Sequence, residues 1–360
     1  MYIHQRKDWP QFSWDPEVIT PILGVVRYKQ GKILGVMQSF GFQLQEETSL
    51  KTLTADIIKS SEIEGKHFNH DQVRSSIARR LGIEIAGAVA SDREVDGVVD
   101  MLLDATQHYI EPLSDERLFG WHNALFPTGR SGIYKIKTGA WRDDAMQITS
   151  GPIGKEIIHF EAPKASKIKN EITIFLDWFN SNQNTDPVLK AAIAHLWFIS
   201  IHPFEDGNGR ITRALTDLLL ARADQSKLRF YSISSQIQKE RNKYYSILES
   251  TQKGDLDITD WLRWFLECLL SSMTQTDETI AMTLKRVHFW ETHKAIDFNV
   301  RQQKILQLLF DDFYGKLNVS KYAKICKVST DTALRDLQDL LAKGIIEQEG
   351  NGRSTSYRLC

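Results

Sequence analysis

Near the middle of the chain, residues 201–213 carry side chains that could do phosphate chemistry: Ile-His-Pro-Phe-Glu-Asp-Gly-Asn-Gly-Arg-Ile-Thr-Arg. Two glycines in three positions let successive backbone N–H groups turn inward, and a helix predicted to follow adds the positive end of its dipole. Arg210 and Arg213 lie three apart, so both project from one face of the first helical turn. The loop is therefore predicted to be an anion-binding nest.

Two more side chains of this loop add reactive groups to the nest. Asp206 offers a hard carboxylate oxygen, suited to Mg²⁺ that is also bound by substrate phosphates. His202, just before the loop, is placed to act as a general base. The combination predicts phosphoryl or nucleotidyl transfer, where catalysis is mostly positioning and charge stabilisation. A Walker-type P-loop is excluded, because no GxxxxGK[ST] pattern occurs.

The elements that must position this loop are predicted to be helices, because apolar residues recur at three- and four-residue spacing. Thr185-Asp186-Pro187 is a helix-start signature, with a capping residue before a proline. His195, within one predicted helix, is interpreted as a core or helix-face histidine. The predicted helices are Ile22–Gln30, Leu50–Ile63, Ser91–Tyr109, Asp115–Ala124, Val188–Ile201, Gly209–Ala223 and Ile258–Met273.

Two regions depart from the helical pattern. Gly132–Pro163 alternates in hydrophobicity and contains four glycines and two prolines, which predicts a small β-hairpin inserted among the helices. The C-terminal region predicts three helices followed by two strands around a Gly350-Asn351-Gly352 turn, a winged helix-turn-helix pattern. Its predicted elements are the helices Arg301–Phe310, Ser320–Cys326 and Thr330–Lys343 and the strands Ile345–Gln348 and Thr355–Leu359.

The C-terminal region has two open interpretations, DNA binding and protein interaction or dimerisation. In a winged helix, its recognition helix would begin with Thr330, Asp331, Thr332 and Arg335, and Arg353 would lie in the wing. From Val300 onward there are ten Lys or Arg and seven Asp or Glu, a net charge of +3. That is far below the charge density of a strong DNA binder, so neither interpretation is excluded.

The bulk composition is that of an ordinary globular protein. The 360 residues carry a net charge of -1 and are 42% hydrophobic, which excludes a disordered chain and collagen-like repeats. The three widely spaced cysteines suggest neither a disulfide framework nor a thiolate zinc site. The longest apolar stretch, Ala191–Ile201, is too short to span a bilayer, and no apolar signal segment follows Met1. We therefore expect a cytoplasmic protein without a membrane partner.

The segment HPFEDGNGRITR resembles the HxFx[DE]GNGRxxR motif of the Fic (filamentation induced by cAMP) family and matches every defined position. The resemblance implies transfer of AMP from ATP to a Ser, Thr or Tyr hydroxyl of a protein. It implies that His202 deprotonates the hydroxyl, Asp206 binds Mg²⁺, Arg213 holds the γ-phosphate and Phe204 anchors the loop. The residues implied to hold the α- and β-phosphates are Gly207, Asn208, Gly209 and Arg210.

A second, distant segment resembles another motif of the family. Ser60-Ser61-Glu62-Ile63-Glu64-Gly65 is similar to its inhibitory helix motif, [ST]xxxE[GN]. Ser60 and Glu64 lie four residues apart and share a helix face. The resemblance implies that Glu64 pairs with Arg213 and blocks productive binding of the γ-phosphate. Its position before the core implies an N-terminal, intramolecular inhibitory helix.

Two weaker correspondences suggest further site residues. The predicted hairpin lies where Fic proteins carry a flap that aligns the target by strand pairing, which places target contacts near Ile158, His159 and Phe160. Arg241–Asp255 resembles the segment that contacts adenine, which makes Tyr244, Tyr245 and Gln252 candidates for the nucleotide pocket. The alternative for the two tyrosines is packing between helices.

Together these observations predict a mainly α protein with three parts: an N-terminal helical region (1–95), a Fic core with a β-hairpin flap (96–290) and a winged helix (291–360). The expected function is Mg²⁺- and ATP-dependent AMPylation of a protein hydroxyl, on another protein or on this chain itself, with Glu64 inhibitory. The alternatives are removal of AMP with Glu64 positioning a water, transfer of another group, and a nucleotide-sensing DNA-binding regulator. A second copy of this chain, in a homodimer, is a further candidate partner.

Overall fold

The structure, a computed structural model, describes residues 1–85, 87–151, 155–182, 184–310, 316–350 and 355–360. The chain divides into two compact units, Met1–Thr276 and Asp277–Cys360. The helices that begin in the first unit are α1 (Pro16–Gln38), α2 (Phe42–Ile63), α3 (His70–Leu81), α4 (Arg93–Gln107), α5 (Asp115–Leu125), α6 (Ala165–Asn180), α7 (Pro187–Ile201), α8 (Asn208–Asp224), α9 (Ile233–Lys239), α10 (Arg241–Gln252) and α11 (Thr259–Thr292). A short 3₁₀ helix, Ile3–Gln5, precedes them.

The helix starts follow the capping rules. Asp15 accepts a hydrogen bond from the Glu17 backbone N–H before α1, and Asp186 does the same for Val188 before α7. Pro16 and Pro187 occupy the first positions of these helices, where no N–H is needed. The start predicted from Thr185-Asp186-Pro187 is therefore confirmed, whereas α1 begins earlier than Ile22 and continues through Pro21.

Helices α7 and α8 form the centre of the first unit. Thirteen residues of α7, from Val188 to Ile201, are buried, so this helix is surrounded by protein on all sides. Leu215 and Leu218 of α8 are fully buried. His195 is buried too and donates from Nδ1 to Thr216, whose own hydroxyl donates to the Thr212 carbonyl; the prediction of a core histidine is confirmed. The loop that joins α7 to α8 is residues 202–207.

Among the described residues between α5 and α6 there are four short strands. They form two antiparallel pairs, β1 (Arg130–Ser131) with β2 (Tyr134–Lys135) and β3 (Gln147–Ser150) with β4 (Ile157–Glu161). The predicted hairpin in Gly132–Pro163 is thus confirmed as the pair β3–β4. Residues 152–154 lie outside the described residues.

The second unit contains α12 (Val300–Phe310), α13 (Val319–Cys326) and α14 (Thr330–Ala342), followed by the antiparallel strands β5 (Ile346–Glu349) and β6 (Ser356–Leu359). Its core includes Ile305, Tyr322 and Leu337. The order of elements is the predicted one, while the winged-helix assignment and the three-part domain division stay predictions. Asn351, Gly352 and Arg353 of the predicted wing lie outside the described residues.

The mainly helical fold class is confirmed, and most predicted helices agree with the observed ones to within a few residues at one or both ends. The prediction ended the long helix at Met273, but α11 continues to Thr292. Among the described residues, no helix combines the length and apolar character needed to cross a bilayer.

Candidate active site

The loop between α7 and α8 starts and ends with left-handed backbone. His202 has φ 51° and ψ 59° and terminates α7, and Gly207 has φ 81° and precedes α8. A left-handed conformation costs a residue with a Cβ of the order of 1 kcal/mol, and here it ends the helix and turns the chain. The chain therefore turns sharply at the histidine and again at the first glycine of the predicted nest.

Phe204 and Asn208 hold this loop rigidly. The Asn208 side chain accepts from the Phe204 backbone N–H at 3.0 Å and donates to the Phe204 carbonyl at 2.8 Å. Phe204 is fully buried, and its ring stacks on His122 with 4.2 Å between the centroids. Phe204 is thus an apolar anchor, as expected. The Asn208 amide group is thus used within the loop.

His122 fixes the loop from the neighbouring helix α5. Its Nδ1 accepts from the Gly139 backbone N–H at 3.1 Å, so Nε2 carries the proton and donates to the Asp206 carbonyl at 3.1 Å. Burial lowers the pKa of His122 to about 4, which keeps this tautomer neutral. Sequence reasoning missed this residue.

Arg142, also missed, holds the loop 202–207 and the base of the hairpin together. Its buried guanidinium donates from Nε to the His202 carbonyl at 2.7 Å, from Nη1 to the Asp144 carbonyl at 2.7 Å, and from Nη2 to the Pro163 carbonyl at 2.6 Å. Asp144 precedes β3 and Pro163 follows β4. One side chain thus joins both ends of the hairpin to His202. Burial lowers the pKa of Arg142.

His202 has one ring nitrogen that can accept a proton. Its Nδ1 lies 3.2 Å from the Ile199 carbonyl, which can only accept, so Nδ1 carries the proton and Nε2 has a lone pair. Burial lowers the pKa of His202 to about 4, so the ring is neutral at pH 7. A neutral imidazole with an unprotonated Nε2 is the form required of a general base.

Arg210 contributes a buried positive charge to the nest. It is 3% exposed, its guanidinium lies over the Phe126 ring, 4.9 Å from the centroid, and its Nε has no hydrogen-bond partner among the described residues. A buried guanidinium N–H without a partner costs free energy. This arginine is therefore available to bind an anion.

Arg213, one turn further along α8, is already engaged by α2. Its Nε donates to Ser60 Oγ at 2.8 Å, and its Nη2 donates to Ser60 O at 2.9 Å and to Glu64 Oε1 at 2.8 Å. Arg213 is 1% exposed, whereas the Glu64 side chain is 33% exposed, so the ion pair is shielded from solvent on the arginine side only. The structure brings Ser60, Glu64 and Arg213 together across more than 140 residues of sequence.

Asp206 carries the carboxylate that we expected from the sequence to bind Mg²⁺. Its Oδ1 accepts from the Gly207 backbone N–H at 2.5 Å, and its Oδ2 accepts from Ser131 Oγ. No cluster of three His, Cys, Asp or Glu side chains that could hold a metal occurs in the described part of the chain. A single carboxylate beside an anion nest fits Mg²⁺ that is bound mainly through nucleotide phosphates.

The predicted adenine-contacting residues of α10 differ in exposure. Tyr244 and Gln252 are buried: the Tyr244 hydroxyl bonds His195 Nε2 at 3.0 Å, and Gln252 Nε2 donates to Ser200 Oγ at 3.0 Å. Tyr245 is 40% exposed, and its hydroxyl lies 3.5 Å from the Ile63 carbonyl at the end of α2. Of the three side chains, Tyr245 is the one open to a ligand.

The predicted target-contacting residues of β4 are also separated by burial. Ile158 is 44% exposed and His159 is half-buried, whereas Phe160 is buried against the rings of Tyr2 and His4. Of these three residues, Ile158 and His159 can therefore contact a partner in this conformation.

In the second unit, Thr330, Asp331 and Arg335 are exposed at the start of α14, and Thr332 N–H donates to the capping residue Ser329.

Sequence profiles of three families match successive parts of the chain. Residues 2–83 match a domain of unknown function, DUF4172, and residues 112–220 match the Fic/DOC family. Residues 304–360 match the C-terminal domain of DIP2311-like transcriptional regulators.

Individual proteins also resemble part of this chain, and their names agree with the Fic/DOC match of residues 112–220. The chain is 40% identical over 97 residues to the protein adenylyltransferase Fic of Aedes aegypti, which covers 26% of this chain and 18% of that protein. It is 30% identical over 119 residues to a probable protein adenylyltransferase of Aquifex aeolicus, covering 33% of this chain and 35% of the relative. The chain thus spans well under half the length of either relative.

A solved structure extends the similarity of fold to nearly the whole chain. The crystal structure of a Fic family protein from Desulfovibrio desulfuricans G20 superposes with a TM-score of 0.55 at 21% identity and covers 98% of each chain. At this identity the similarity establishes the fold alone. Both units and the helices around the glycine loop therefore have a counterpart of known structure.

Proposed function

Residues 112–220 belong to the Fic/DOC family, and from that premise we propose that the chain is a protein adenylyltransferase, which transfers AMP from ATP to a hydroxyl side chain of a protein. The observation that carries the proposal is the state of His202, neutral and unprotonated at Nε2, at the entrance to the glycine nest. In the described part of the chain, Arg210 Nε at this nest has no hydrogen-bond partner. A base next to an anion site is what activation of a hydroxyl toward a phosphate requires.

In the proposed reaction, the chain positions the reactants and moves one proton. His202 Nε2 takes the proton of the target hydroxyl, the oxygen attacks the α-phosphorus of ATP, and pyrophosphate leaves. The turn at Gly207, the backbone N–H groups of Asn208 and Gly209 and the side chain of Arg210 bind the α- and β-phosphates at the start of α8. Arg213 is assigned to the γ-phosphate, and Tyr245 to the nucleoside.

Asp206 is assigned as the protein ligand of Mg²⁺, which when bound neutralises phosphate charge. Ser131 and the Gly207 backbone N–H orient its carboxylate. The hairpin is assigned to the target chain. Ile158 and His159 are the predicted contact residues whose side chains reach the surface there.

We also propose that the enzyme is autoinhibited. Glu64 already neutralises Arg213 at 2.8 Å, and its carboxylate lies against Gly209 in the space of the nest. A triphosphate that reached Arg213 would have to displace this carboxylate, because two anions cannot share one buried guanidinium without repulsion. ATP would then bind without its γ-phosphate in the productive position.

The direct test is to incubate purified protein with ATP labelled in the α-phosphate. Glu64→Gly should raise protein-bound label by roughly tenfold to a hundredfold, because a charge-assisted hydrogen bond contributes about 1.5–3 kcal/mol. The matched control is Glu62→Gly, which removes a carboxylate that pairs with Lys59 instead. His202→Ala should abolish the label. Label that persists in His202→Ala, or equal label in wild type and Glu64→Gly, contradicts the assignment concerned.

The match of residues 304–360 to a domain of transcriptional regulators favours a second function, DNA binding by the second unit. The exposed Arg335 near the start of α14 is its first candidate contact. Binding of the full chain to duplex DNA should weaken with salt and weaken further in Arg335→Ala. The matched control is Arg263→Ala, an exposed arginine of α11 that pairs with Asp260. Salt-independent binding, or no binding, contradicts this second function.

A further inference from the structure

The first residues of the chain pack against the hairpin that the proposed function assigns to the target. Phe160 of β4 is 1% exposed, and the rings of Tyr2 and His4 meet it edge to face, with 5.1 and 5.6 Å between the centroids. Burial lowers the pKa of His4 to about 4, so its ring is neutral at pH 7 and packs as an apolar group. The N-terminal segment, defined as residues 2–9, therefore packs directly on β4.

Contacts with two helices fix the position of the N-terminal segment. Arg6 donates from Nε and Nη2 to the Gly254 carbonyl, just past the end of α10, at 3.0 and 2.6 Å. Trp9 donates from Nε1 to Glu171 Oε2 of α6 at 2.8 Å. Ile3 of the same segment is fully buried. The segment is therefore anchored to the first unit and offers a fixed support for β4.

A second contact holds the neighbouring residue of β4. His159 Nδ1 lies 2.8 Å from Glu249 Oε2 of α10. Hydrogen bonds from Lys253 and His159 hold the pKa of Glu249 below its usual range, so the carboxylate is ionised and His159 Nδ1 is the donor. Two adjacent residues of β4 are thus held by separate parts of the first unit, His159 by α10 and Phe160 by the N-terminal segment.

The exposed part of β4 lies next to these two residues, since Ile157 and Ile158 are 62% and 44% exposed. An extended chain that pairs with a strand takes its register and direction from that strand, so the position of the strand decides where each paired side chain lies. Arg142 joins the base of the hairpin to the His202 carbonyl. Support of β4 beyond that base therefore decides how far a paired hydroxyl lies from His202.

We propose that the N-terminal segment positions the target: through Tyr2 and His4 it holds β4 where an extended protein segment, paired with the hairpin, presents its hydroxyl to His202. This inference rests on the proposed adenylyltransferase function. The segment belongs to the part of the chain that matches DUF4172, residues 2–83, and Glu64 lies in the same part. The inference thus gives this domain a role in target binding that is separate from the contact of Glu64 with Arg213.

The first test measures the support of β4 by backbone amide hydrogen exchange in the full chain. Tyr2→Ala should raise exchange of the amides of β4 by about tenfold or more, because the strand loses a ring that packs on Phe160. Tyr2→Phe should exchange like wild type, since the ring is kept. The matched control is Tyr28→Ala, which removes a 74% exposed ring from α1. Unchanged exchange of β4 in Tyr2→Ala overturns the inference, whatever the activity of the chain.

The second test separates target positioning from nucleotide binding. Unfolded casein, which offers extended segments rich in hydroxyl side chains, is incubated with the Glu64→Gly chain and ATP labelled in the α-phosphate. Tyr2→Ala in this background should raise the casein concentration needed for half-maximal protein-bound label by about fivefold or more. The Kd for ATP, measured by titration calorimetry, should stay within about twofold, and Tyr2→Phe should restore labelling.

The possible failures of this second test are distinguishable. An unchanged dependence on casein in Tyr2→Ala overturns target positioning and leaves the proposed function standing. An equal loss of ATP affinity and of labelling also overturns it, because the substitution would then act on the glycine loop. No protein-bound label from the Glu64→Gly chain overturns the proposed function, and target positioning with it.

Discussion

The carboxylate of Glu64 lies directly against the Cα of Gly209. A Cβ built on that glycine would be 2.1 Å from Glu64 Oε1 and 3.2 Å from Arg213 Nη1. In this arrangement the close approach of Glu64, and not the backbone conformation, favours glycine, since its φ lies outside the left-handed region. The end of α2 and the first turn of α8 therefore meet with no room for a side chain, at the position that the proposed mechanism assigns to phosphate.

Gly209→Ala tests whether this space serves both the inhibitory carboxylate and the substrate. The methyl group should push Glu64 away from Arg213, because the carboxylate is the end of a flexible side chain, and should also fill the space needed by ATP. We expect label transfer from α-labelled ATP to stay at or below the wild-type level. The control is Gly120→Ala in α5, where nothing lies within 4 Å of the new methyl group. An increase like that of Glu64→Gly would contradict this interpretation.

Two adjacent serines of α2 give a matched pair of substitutions. Ser60 accepts from Arg213 Nε, whereas the buried Ser61 Oγ has no hydrogen-bond partner among the described residues. Ser60→Ala should destabilise the fold by about 1–3 kcal/mol, because it leaves a buried guanidinium N–H without a partner. Ser61→Ala should be neutral or stabilising. Urea unfolding of the two variants beside wild type measures the difference, and equal losses would contradict the prediction.

Arg142→Met should be severe, because the carbonyls of His202, Asp144 and Pro163 would lose their donor in a buried site. We expect a loss of about 3 kcal/mol or more in the free energy of unfolding. Arg130→Met is the control, since that exposed arginine bonds a single carbonyl and should change stability by less than about 0.5 kcal/mol. A melting temperature of Arg142→Met close to that of the control would exclude the proposed anchoring role.

Stability should fall as the pH drops from about 6.5 to about 4. Burial lowers the pKa of His122 and His202 to about 4 and that of His195 to about 3. In this window these histidines bind protons in the unfolded chain but stay neutral in the folded chain. The free energy of unfolding therefore rises with pH. Urea unfolding at pH 7, 6 and 5 measures the slope. A free energy of unfolding that is flat across this range would contradict the prediction.

The glycine loop was readable from sequence because its chemistry lies within thirteen consecutive residues. The helices around it were readable because capping residues and apolar periodicity are local signals. The contact of Ser60 and Glu64 with Arg213 is not local, and it was anticipated only through a family resemblance. The structure shows that contact directly, while its inhibitory consequence is a proposal.

The sequence did not predict the contacts that form only in the folded chain. Nothing in the sequence around Arg142 or His122 indicates that their side chains meet backbone carbonyls of the glycine loop. Phe160 follows the half-buried His159 in β4, and its burial depends on Tyr2 and His4 from the start of the chain. The Asn208 side chain fits the expected motif, but its bonds to Phe204 show a structural use that spacing alone does not reveal.

Helix α2 carries Glu64 at its end, and one face of the helix is part of the hydrophobic core. Leu50, Leu53 and Ile57 are at most 3% exposed, and Asp56 accepts from Ser232 Oγ at 2.5 Å. A truncation designed to activate the enzyme by deleting this helix would therefore yield an unfolded protein instead of a faster one. Natural activation, in the proposed scheme, must act within the last turn of the helix, by moving one side chain a few ångströms while its anchor stays in place.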